Sequence, residues 1–309
     1  MPDKKWIGHG YIYKLVPHFN DYIRMKTRMT KGIFFLLTIL LPLTNLFGQD
    51  FQTHLKENAV KIEHLDKLDT LVYGKLKDFK LIMIGEMHGT NEPAKLLTGL
   101  TEMFTMYGDT IQVGFEIPSE LMNVDCGQLS DSCVFKSDFF LKRLQDGRAS
   151  VAWANALTRL SKNSKVQIFF FDINKTESID FQDRDSLMYL KIKQKIINHP
   201  NRRTITLCGN IHNMRDKYRE KPTTAYFLCN DKNLILNKKI CTLTHYYQSG
   251  TMLNNIGNGL ELRQVEDDPS VFSETFDYDN YLYLYPIENI YNGIFFTKTV
   301  TAAKLTSIK

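Results

Sequence analysis

Three features that would place this chain in other classes of protein are missing from its sequence. No two of the five cysteines are separated by only two residues, which excludes the closely spaced pairs that hold structural zinc. No uninterrupted apolar run reaches the roughly 20 residues that a membrane-spanning helix needs. No internal repeat and no low-complexity stretch occurs, so a single folded domain is expected.

An excess of basic residues is also missing once the first 48 residues are set apart. The whole chain has 39 Lys or Arg and 34 Asp or Glu, but seven of the former and two of the latter lie in residues 1–48, which leaves 32 of each. A neutral chain lacks the basic surface that nucleic-acid binding requires. We therefore expect a small-molecule or peptide substrate and no nucleic acid, and the sequence does not indicate an oligomeric state.

Residues 29–48 have the parts of a secretory signal peptide. A short basic start is followed by an apolar run from Ile33 to Leu41, and a less apolar stretch leads to Gln49. We predict that this signal is removed and that residues 49–309 form a single mature domain, periplasmic or secreted, with no stable membrane span. No cysteine near the cleavage point offers a site for a lipid anchor.

Residues 1–28 precede the signal and show no sustained periodicity. We interpret them as an upstream extension, with Met29 as the real start of the chain. The alternative is an uncleaved anchor with a basic cytoplasmic tail. In neither case is a folded domain expected there.

The cysteines permit two disulfides in an exported chain. Cys126 and Cys133 flank a polar loop, and Cys229 and Cys241 lie near the ends of two β-like runs, so both pairings are sterically conceivable. Cys208 lies inside an apolar run and is expected to be a buried thiol.

Four short apolar runs alternate with helical patterns along the chain. Each run is bounded by turn residues and has the length of a buried strand. This alternation predicts an α/β fold, a mostly parallel sheet flanked by helices on both faces. The four runs are Leu81–Ile84, Ile111–Phe115, Val166–Phe171 and Thr204–Cys208.

Helices are predicted from apolar spacing and from capping residues. They are Thr53–Leu65, a helix that Asn91 caps and that runs to about Tyr107, Ser137–Leu144, Ser150–Leu160, and a long helix that Asp183 or Asp185 caps and that runs to Ile197. The C-terminal part is β-rich over Thr223–Tyr247 and Tyr281–Tyr285, and we expect it to extend the sheet in antiparallel fashion.

Polar or ionisable side chains follow each of the four runs. Because the carboxyl ends of parallel strands lie along one edge, where ligands bind in open α/β sheets, we expect these side chains to form one site. They are Glu86 and His88, Glu116, Asp172, and the pair Asn210 and His212.

Glu86 and His88 form the most informative of these motifs. In extended geometry, side chains two residues apart project the same way, and glycines on both sides permit a tight turn close to a ligand. A carboxylate that orients a catalytic imidazole is one interpretation. The alternative is that the two residues only pair with each other or cap the helix that begins near Asn91.

Each of the other candidates has a functional and a structural interpretation. Glu116 is a second catalytic carboxylate or a salt-bridge partner. Asp172 binds substrate, forms a salt bridge or orients a histidine. His212 is a metal ligand or a general base, and Asn210 is positioned to contact substrate. Arg184 holds an anionic group or an oxyanion, or it pairs with Asp183 or with a carboxylate of the site.

Five short motifs in this order resemble those of the erythromycin esterase/ChaN-like superfamily, which includes the TraB and Tiki proteins. They are GEMHGTNE at 85–92, GFE at 114–116, FFFD at 169–172, RDSLM at 184–188 and GNIH at 209–212. The resemblance covers about half of the mature chain. It implies an α/β fold with its site at the strand ends.

The resemblance implies three different functions. In the erythromycin esterase branch a histidine at the position of His88 activates water for attack on an ester, in Tiki-like members these positions support metal-dependent peptide cleavage, and ChaN-like members bind haem. This chain has one residue fewer between Glu86 and His88 than macrolide esterases have, as in ChaN-like proteins, whereas Gly89, Thr90 and Glu92 are esterase-like.

Our leading hypothesis is an exported hydrolase that activates water at the edge of the sheet. Without a metal, His88 would be the general base, oriented by Glu86 or Glu116, and His212 would stabilise the oxyanion or protonate the leaving group. With a divalent metal, His88, His212 and a glutamate such as Glu86 would be its ligands.

Two further hypotheses are not enzymatic. One is a haem- or ligand-binding envelope protein, in which a tyrosine of the C-terminal part supplies an axial phenolate. The candidates are Tyr246, Tyr247, Tyr281, Tyr283 and Tyr285, although alternate tyrosines in a strand are more often packing residues. The other is a binding module for envelope partners.

Overall fold

A computed structural model describes most of the chain from residue 52 onwards. The described residues are 52–122, 131–141, 147–175, 181–234, 239–255, 259–266, 278–285 and 290–306. The predicted signal peptide and the upstream extension lie outside them. Among the described residues, no helix is both long enough and apolar enough to cross a bilayer.

The centre of the fold is a nine-stranded sheet with the order β1-β8-β9-β6-β2-β5-β3-β4, in which β7 pairs with β6. The strands are β1 (Val60–Lys61), β2 (Leu81–Glu86), β3 (Ile111–Pro118), β4 (Val166–Asp172), β5 (Arg203–Gly209), β6 (Ile240–Asn255), β7 (Leu260–Glu266), β8 (Asn280–Leu284) and β9 (Gly293–Val300).

The four predicted strands are confirmed as β2, β3, β4 and β5, and they are neighbours in the sheet. β5 lies between β2 and β3, β4 pairs with β3, and all three pairings are parallel. Their carboxyl ends therefore lie along one edge of the sheet. This arrangement places the polar residues that follow them side by side.

Helices cover both faces of the sheet, as predicted. The described helices are α1 (Thr70–Leu76), α2 (Glu92–Met106), α3 (Asp131–Lys136), α4 (Asp138–Leu141), α5 (Val151–Ser161), α6 (Phe181–Asn198) and α7 (Thr224–Asn230), and residues 52–58 are also helical. One apolar core joins α2 and α5 to the sheet, and a second joins α6 and α7 to its other face. Ile82 belongs to the first core and Met83 to the second, which is why the strand is apolar at consecutive positions.

Two helices begin at or next to the residues at which the sequence predicts them to begin. Asn91 immediately precedes α2, although its side chain donates to Thr301 Oγ1 instead of capping the helix. Ser150 precedes α5 and its hydroxyl accepts from the backbone N–H of Trp153. The first helix, however, ends at residue 58, before β1, and does not continue to Leu65.

The long helix α6 begins earlier than predicted. It starts at Phe181, so Asp183 and Asp185 lie inside its first turns and do not cap it. The Asp185 carboxylate is instead used in tertiary contacts with His212 and Thr224. The predicted helix over 137–144 is present as α4 at 138–141, and residues 142–146 lie outside the described part of the chain.

The C-terminal half of the sheet is less antiparallel than expected. β6 pairs in parallel with β2, and β9 pairs in parallel with β6. The antiparallel pairs are those of β1 with β8, β8 with β9, and β6 with β7. The segment predicted to be β-rich from Thr223 also contains α7, because the Thr223 hydroxyl caps a helix there by accepting from the N–H of Tyr226.

One of the two conceivable disulfides is not formed. Cys229 and Cys241 are both thiols, as is the buried Cys208. Burial raises the pKa of the Cys208 thiol well above its usual value, which makes it an inert core residue, as expected. Cys133 is in a disulfide, and the other predicted member of that pair, Cys126, lies outside the described residues.

Candidate functional site

Six of the seven residues singled out in the sequence come together at the carboxyl edge of the sheet. β2, β3 and β4 end on Glu86, Glu116 and Asp172 or close to them, and His212 follows β5. Arg184 lies in the first turns of α6, and its side chain donates to Asp172 and Glu116 at this edge. The seventh residue, Asn210, is described below.

Glu86 and His88 form a directed pair. Glu86 Oε1 lies 2.8 Å from His88 Nδ1, and Trp153 Nε1 donates to Glu86 Oε2 at 3.4 Å. With Nδ1 protonated and bonded to the carboxylate, His88 Nε2 carries the lone pair. The carboxylate therefore orients the ring, and Nε2 is the nitrogen available for chemistry.

Protonation of the pair is set by burial and by the neighbouring charges. Burial raises the pKa of Glu86, although its bond to His88 opposes this effect. For His88, burial by itself favours the neutral ring, but the hydrogen bond to Glu86 and the charge of Glu116 outweigh it and raise the pKa. The neutral imidazole thus forms only at a higher pH than for an unperturbed histidine.

The turn that carries His88 is held on two sides. Gly89 has a φ of +97°, and a Cβ on it would lie 1.9 Å from the backbone oxygen of Leu253 in β6, so only glycine fits. Leu253 and Ala303 both donate their backbone N–H to the oxygen of Gly89. The backbone of the C-terminal segment also bonds to the start of α5, through Val151 N–H and Lys304 O, and so ties the His88 turn to the helix that carries Trp153.

Glu116 is the centre of the buried charges. Its Oε1 accepts from Arg148 Nη1 at 2.9 Å and from Arg184 Nη2 at 2.5 Å, and its Oε2 accepts from the backbone N–H of Gly209 at 2.7 Å. Burial alone would raise the pKa of this carboxyl, but the charges of Arg148, His212 and Arg184 hold it well below its usual range. Glu116 is therefore a permanent carboxylate and a weak base.

Asp172 binds the same two arginines. Arg184 Nε and Nη2 donate to its two oxygens at 2.9 Å each, and Arg148 Nη1 donates at 3.1 Å. Glu116, Asp172, Arg148 and Arg184 thus form a network of two anions and two cations. Of the two interpretations of Arg184, pairing with the carboxylates of the site is present in the structure.

A second carboxylate–histidine pair lies opposite the first. Asp185 Oδ1 is 2.8 Å from His212 Nδ1 and also accepts from the N–H and hydroxyl of Thr224 at 2.7 Å. His212 Nε2 lies 3.7 Å from Glu116 Oε1, and His88 Nε2 lies 3.9 Å from Glu116 Oε2. Both imidazoles therefore turn the nitrogen that is not bonded to their partner carboxylate towards Glu116.

Exposure separates these groups into two sets. The side chains of His88 and Arg184 are 19% and 21% exposed, whereas those of Glu116 and His212 are 1% and 7% exposed. A ligand that approaches from solvent meets His88 and Arg184 first. His212 lies behind them.

Asn210 takes a different position. Its side-chain oxygen accepts from the hydroxyl of Thr244 in β6, and its backbone oxygen accepts from the hydroxyl of Tyr291. Its role in substrate binding stays a prediction, for which the amide nitrogen is the available group.

The described residues do not fit the predicted metal set. Glu86 is bonded to Nδ1 of His88 and so lies on the side of the ring opposite Nε2. Glu116, the carboxylate that both histidines face, already accepts from two guanidinium groups. Among the described residues, no three His, Cys, Asp or Glu side chains are grouped as a metal site requires.

The tyrosines predicted as haem ligands do not fit that role either. Tyr281 and Tyr283 are fully buried, and Tyr246 and Tyr247 nearly so. Burial raises the pKa of Tyr283 to about 12 and also raises the pKa values of Tyr281 and Tyr285, which disfavours an axial phenolate. Tyr246, Tyr281 and Tyr283 pack in a common apolar cluster, the structural role expected of alternate tyrosines.

Solved structures share this architecture. A protein from Bacillus cereus aligns with a TM-score of 0.57 and 10% identity over 84% of this chain and 99% of its own. A succinoglycan biosynthesis protein aligns with a TM-score of 0.58 and 8% identity over 84% and 98%. A variant of the erythromycin esterase EreC, in its open conformation, aligns with a TM-score of 0.54 and 10% identity over 78% and 97%.

The chain has an erythromycin-esterase-like fold. The motif-based resemblance is therefore confirmed at the level of the fold. No family model and no curated protein sequence matches the chain. At identities of 8–10%, the likeness establishes architecture and leaves the activity to be argued from the site.

Three residues of this site were missed in the sequence. Arg148 and Trp153 lie next to the cap of α5, far along the chain from the carboxylates that they bind, and no local pattern marks them. The sequence predicts Asp185, or Asp183, only as a helix cap. The position of Asp185 beside Arg184, in one of the family-like motifs, was the only signal of a role in the site.

Proposed function

We propose that the protein is a hydrolase that cleaves esters without a metal, with His88 as the general base. The observation that carries this proposal is the bond from His88 Nδ1 to Glu86, which leaves Nε2 as the basic nitrogen in a side chain that is still partly exposed. A positioned imidazole of this kind is the commonest general base. The erythromycin esterase among the structures that share the fold supports esters as the first substrate class to test.

The reaction proceeds by direct attack of water. His88 Nε2 takes a proton from water while the water oxygen bonds to the ester carbonyl carbon, which makes a tetrahedral oxyanion. When the intermediate collapses, the carbon–oxygen bond to the leaving group breaks and His88 returns the proton to the departing alkoxide. The products are a carboxylic acid and an alcohol.

The other site residues stabilise the charges that develop during the reaction. Arg184, the more exposed of the two arginines, donates to the oxyanion. Glu116, flanked by both imidazoles, favours the imidazolium that forms on His88. His212 is too buried to reach a leaving group and is held by Asp185 against Glu116, so we assign it to charge balance and not to proton transfer.

The pH profile of hydrolysis follows from the raised pKa of His88. Because only the neutral ring accepts a proton, kcat/KM is expected to rise with pH through a pKa above 6.5. Glu86→Gln removes the carboxylate that favours the imidazolium, so the rising limb is expected to move to lower pH while the plateau rate falls. Rates measured from pH 5 to 9 with a neutral para-nitrophenyl ester test both points, and a profile that is flat or that falls with pH contradicts the assignment.

Gly209 leaves room for the catalytic ring. A Cβ at this position would lie 3.1 Å from His88 Nε2, closer than an ordinary contact. Since a 1 Å displacement costs roughly 100-fold in rate, the smaller shift in Gly209→Ala is expected to lower kcat/KM by about 3- to 10-fold with little loss of stability. Gly74→Ala, in a helix with nothing within 4 Å of the new Cβ, is the matched control and is expected to keep the full rate.

We also propose that the enzyme is exported, on the strength of the signal-like residues 29–48. Expression in a host with a secretory pathway should yield a chain that begins at or near Gln49. Mass spectrometry of the purified protein measures this start directly. A chain that retains the apolar run from Ile33 to Leu41 would contradict export by cleavage.

A further inference from the structure

Arg184 has used most of its hydrogen-bond donors inside the protein. A guanidinium has five N–H groups. Nε donates to one oxygen of Asp172, and Nη2 donates to the other oxygen of Asp172 and to Glu116. Only the two N–H groups of Nη1 remain, and no described residue accepts from them.

This count limits what Arg184 can bind. Two parallel N–H···O bonds to a carboxylate or phosphate come from one edge of the guanidinium, formed by Nη2 with either Nε or Nη1. Both hydrogens of Nη2 are already donated to Asp172 and Glu116, so neither edge is complete. Only Nη1 is left for a ligand, and because its own two N–H groups diverge, Arg184 cannot clamp an anionic group through two parallel bonds.

The net charge of the site also argues against an anionic ligand. Its four carboxylates are Glu86, Glu116, Asp172 and Asp185, and its fixed cations are Arg148 and Arg184. Lys191 Nζ, which donates to the backbone oxygen of Asp172, adds a third. While His88 is the neutral base, the site thus has no surplus of positive charge to attract an anion, whether or not His212 is protonated.

We infer that the substrate is an ester with no negative charge near the scissile bond, and that Arg184 Nη1 holds one oxygen, the developing oxyanion. The inference rests on the proposed hydrolase function and narrows its substrate class. It also decides between the two ligand roles that the sequence left open for Arg184. An anionic substrate group has no complete partner here.

Two para-nitrophenyl esters of matched length test this inference. The butyryl and the succinyl monoester differ only in that a methyl group is replaced by a carboxylate. After subtraction of the uncatalysed rate, kcat/KM is expected to be about 10-fold or more higher for the butyryl ester, which corresponds to about 1.4 kcal/mol. Equal or faster hydrolysis of the succinyl ester would overturn the inference.

Arg184→Gln separates the two roles of the arginine. If Nη1 serves the oxyanion, kcat falls for both esters by a similar factor and KM changes little. If Arg184 clamps a substrate anion, KM rises for the succinyl ester alone. The second result would overturn the inference.

A binding titration that does not depend on ester hydrolysis tests the inference separately from the proposed function. Inorganic phosphate is added to the wild-type protein while the ring resonances of His88 are followed by NMR. We expect no saturable shift at phosphate concentrations up to tens of millimolar, typical of weak anion binding. A saturable shift that disappears in Arg184→Gln would overturn the inference, even if no ester is hydrolysed and the proposed function fails.

Discussion

Replacing His88 by alanine is expected to slow hydrolysis of a neutral ester by about 10²- to 10⁴-fold, the contribution that a positioned general base makes. No described residue offers a substitute, because the other imidazole that faces Glu116, His212, is buried and bonded to Asp185. The loss is expected in kcat with little change in KM, since the base acts in the transition state. Steady-state rates with para-nitrophenyl butyrate measure it.

A control variant and a chemical rescue make the result specific. His64→Ala removes an exposed histidine outside the described site and is expected to keep the wild-type rate. Added imidazole is expected to restore part of the rate of His88→Ala, because the deletion leaves space beside Glu116 for a soluble base. A His88→Ala protein that folds and hydrolyses the ester at the full rate would rule out His88 as the base.

Arg148→Met is expected to lower the free energy of unfolding by about 3–5 kcal/mol, the range seen when one partner of a buried ion pair is removed. Arg148 donates to both Glu116 and Asp172, and the side chains of these two carboxylates are almost completely buried. Methionine keeps most of the volume but leaves two buried anions with one guanidinium. Urea unfolding of both proteins at pH 7 measures the difference.

Arg159→Met is the matched control. Arg159 bonds Glu102 at 2.6 Å with good geometry, but its side chain is 50% exposed. Removal of an exposed pair costs roughly 0–1 kcal/mol. Similar losses for the two variants would mean that burial does not strengthen the network around Glu116.

Low pH should reduce the difference in the free energy of unfolding between Arg148→Met and the wild type. The pKa of Glu116 is lowered in the folded protein, so its contribution to stability is present above the ordinary carboxyl pKa near 4.5 and is lost as the pH falls towards the folded value. Without Arg148 the folded pKa rises and less stability remains to be lost. The free energies of unfolding of the two proteins should therefore approach each other as the pH is lowered from 7 to 3. A difference that grows towards low pH would contradict this explanation.

Much of the fold was accessible from local patterns. The four apolar runs predicted the parallel strands β2, β3, β4 and β5, because a strand buried on both faces is apolar at nearly every position. The predictions failed where a local signal had a tertiary use. Asp185 has the composition of a helix cap, but its carboxylate bonds to His212, and the helix starts at Phe181.

Most of the site was also predictable, for a related reason. Glu86, His88, Glu116, Asp172 and His212 each follow an apolar run, so strand ends that share one edge bring them together without knowledge of any contact. The pairing of the two disulfide candidates Cys229 and Cys241 had no such support. Two β-like runs do not specify which of their residues face each other, and both cysteines are thiols.

By itself, the sequence determined the α/β class, the edge of the sheet that carries the site, and the residues of the Glu86–His88 pair. Only the tertiary structure decided that Arg148 and Asp185 belong to the site, that Glu116 is locked between two arginines, and that Arg184 keeps a single nitrogen for a ligand. The physical reason is the separation along the chain of the residues that interact. Strand formation and side-chain direction depend on neighbours in sequence. Desolvation and hydrogen-bond geometry depend on groups that folding brings together from positions as far as 229 residues apart.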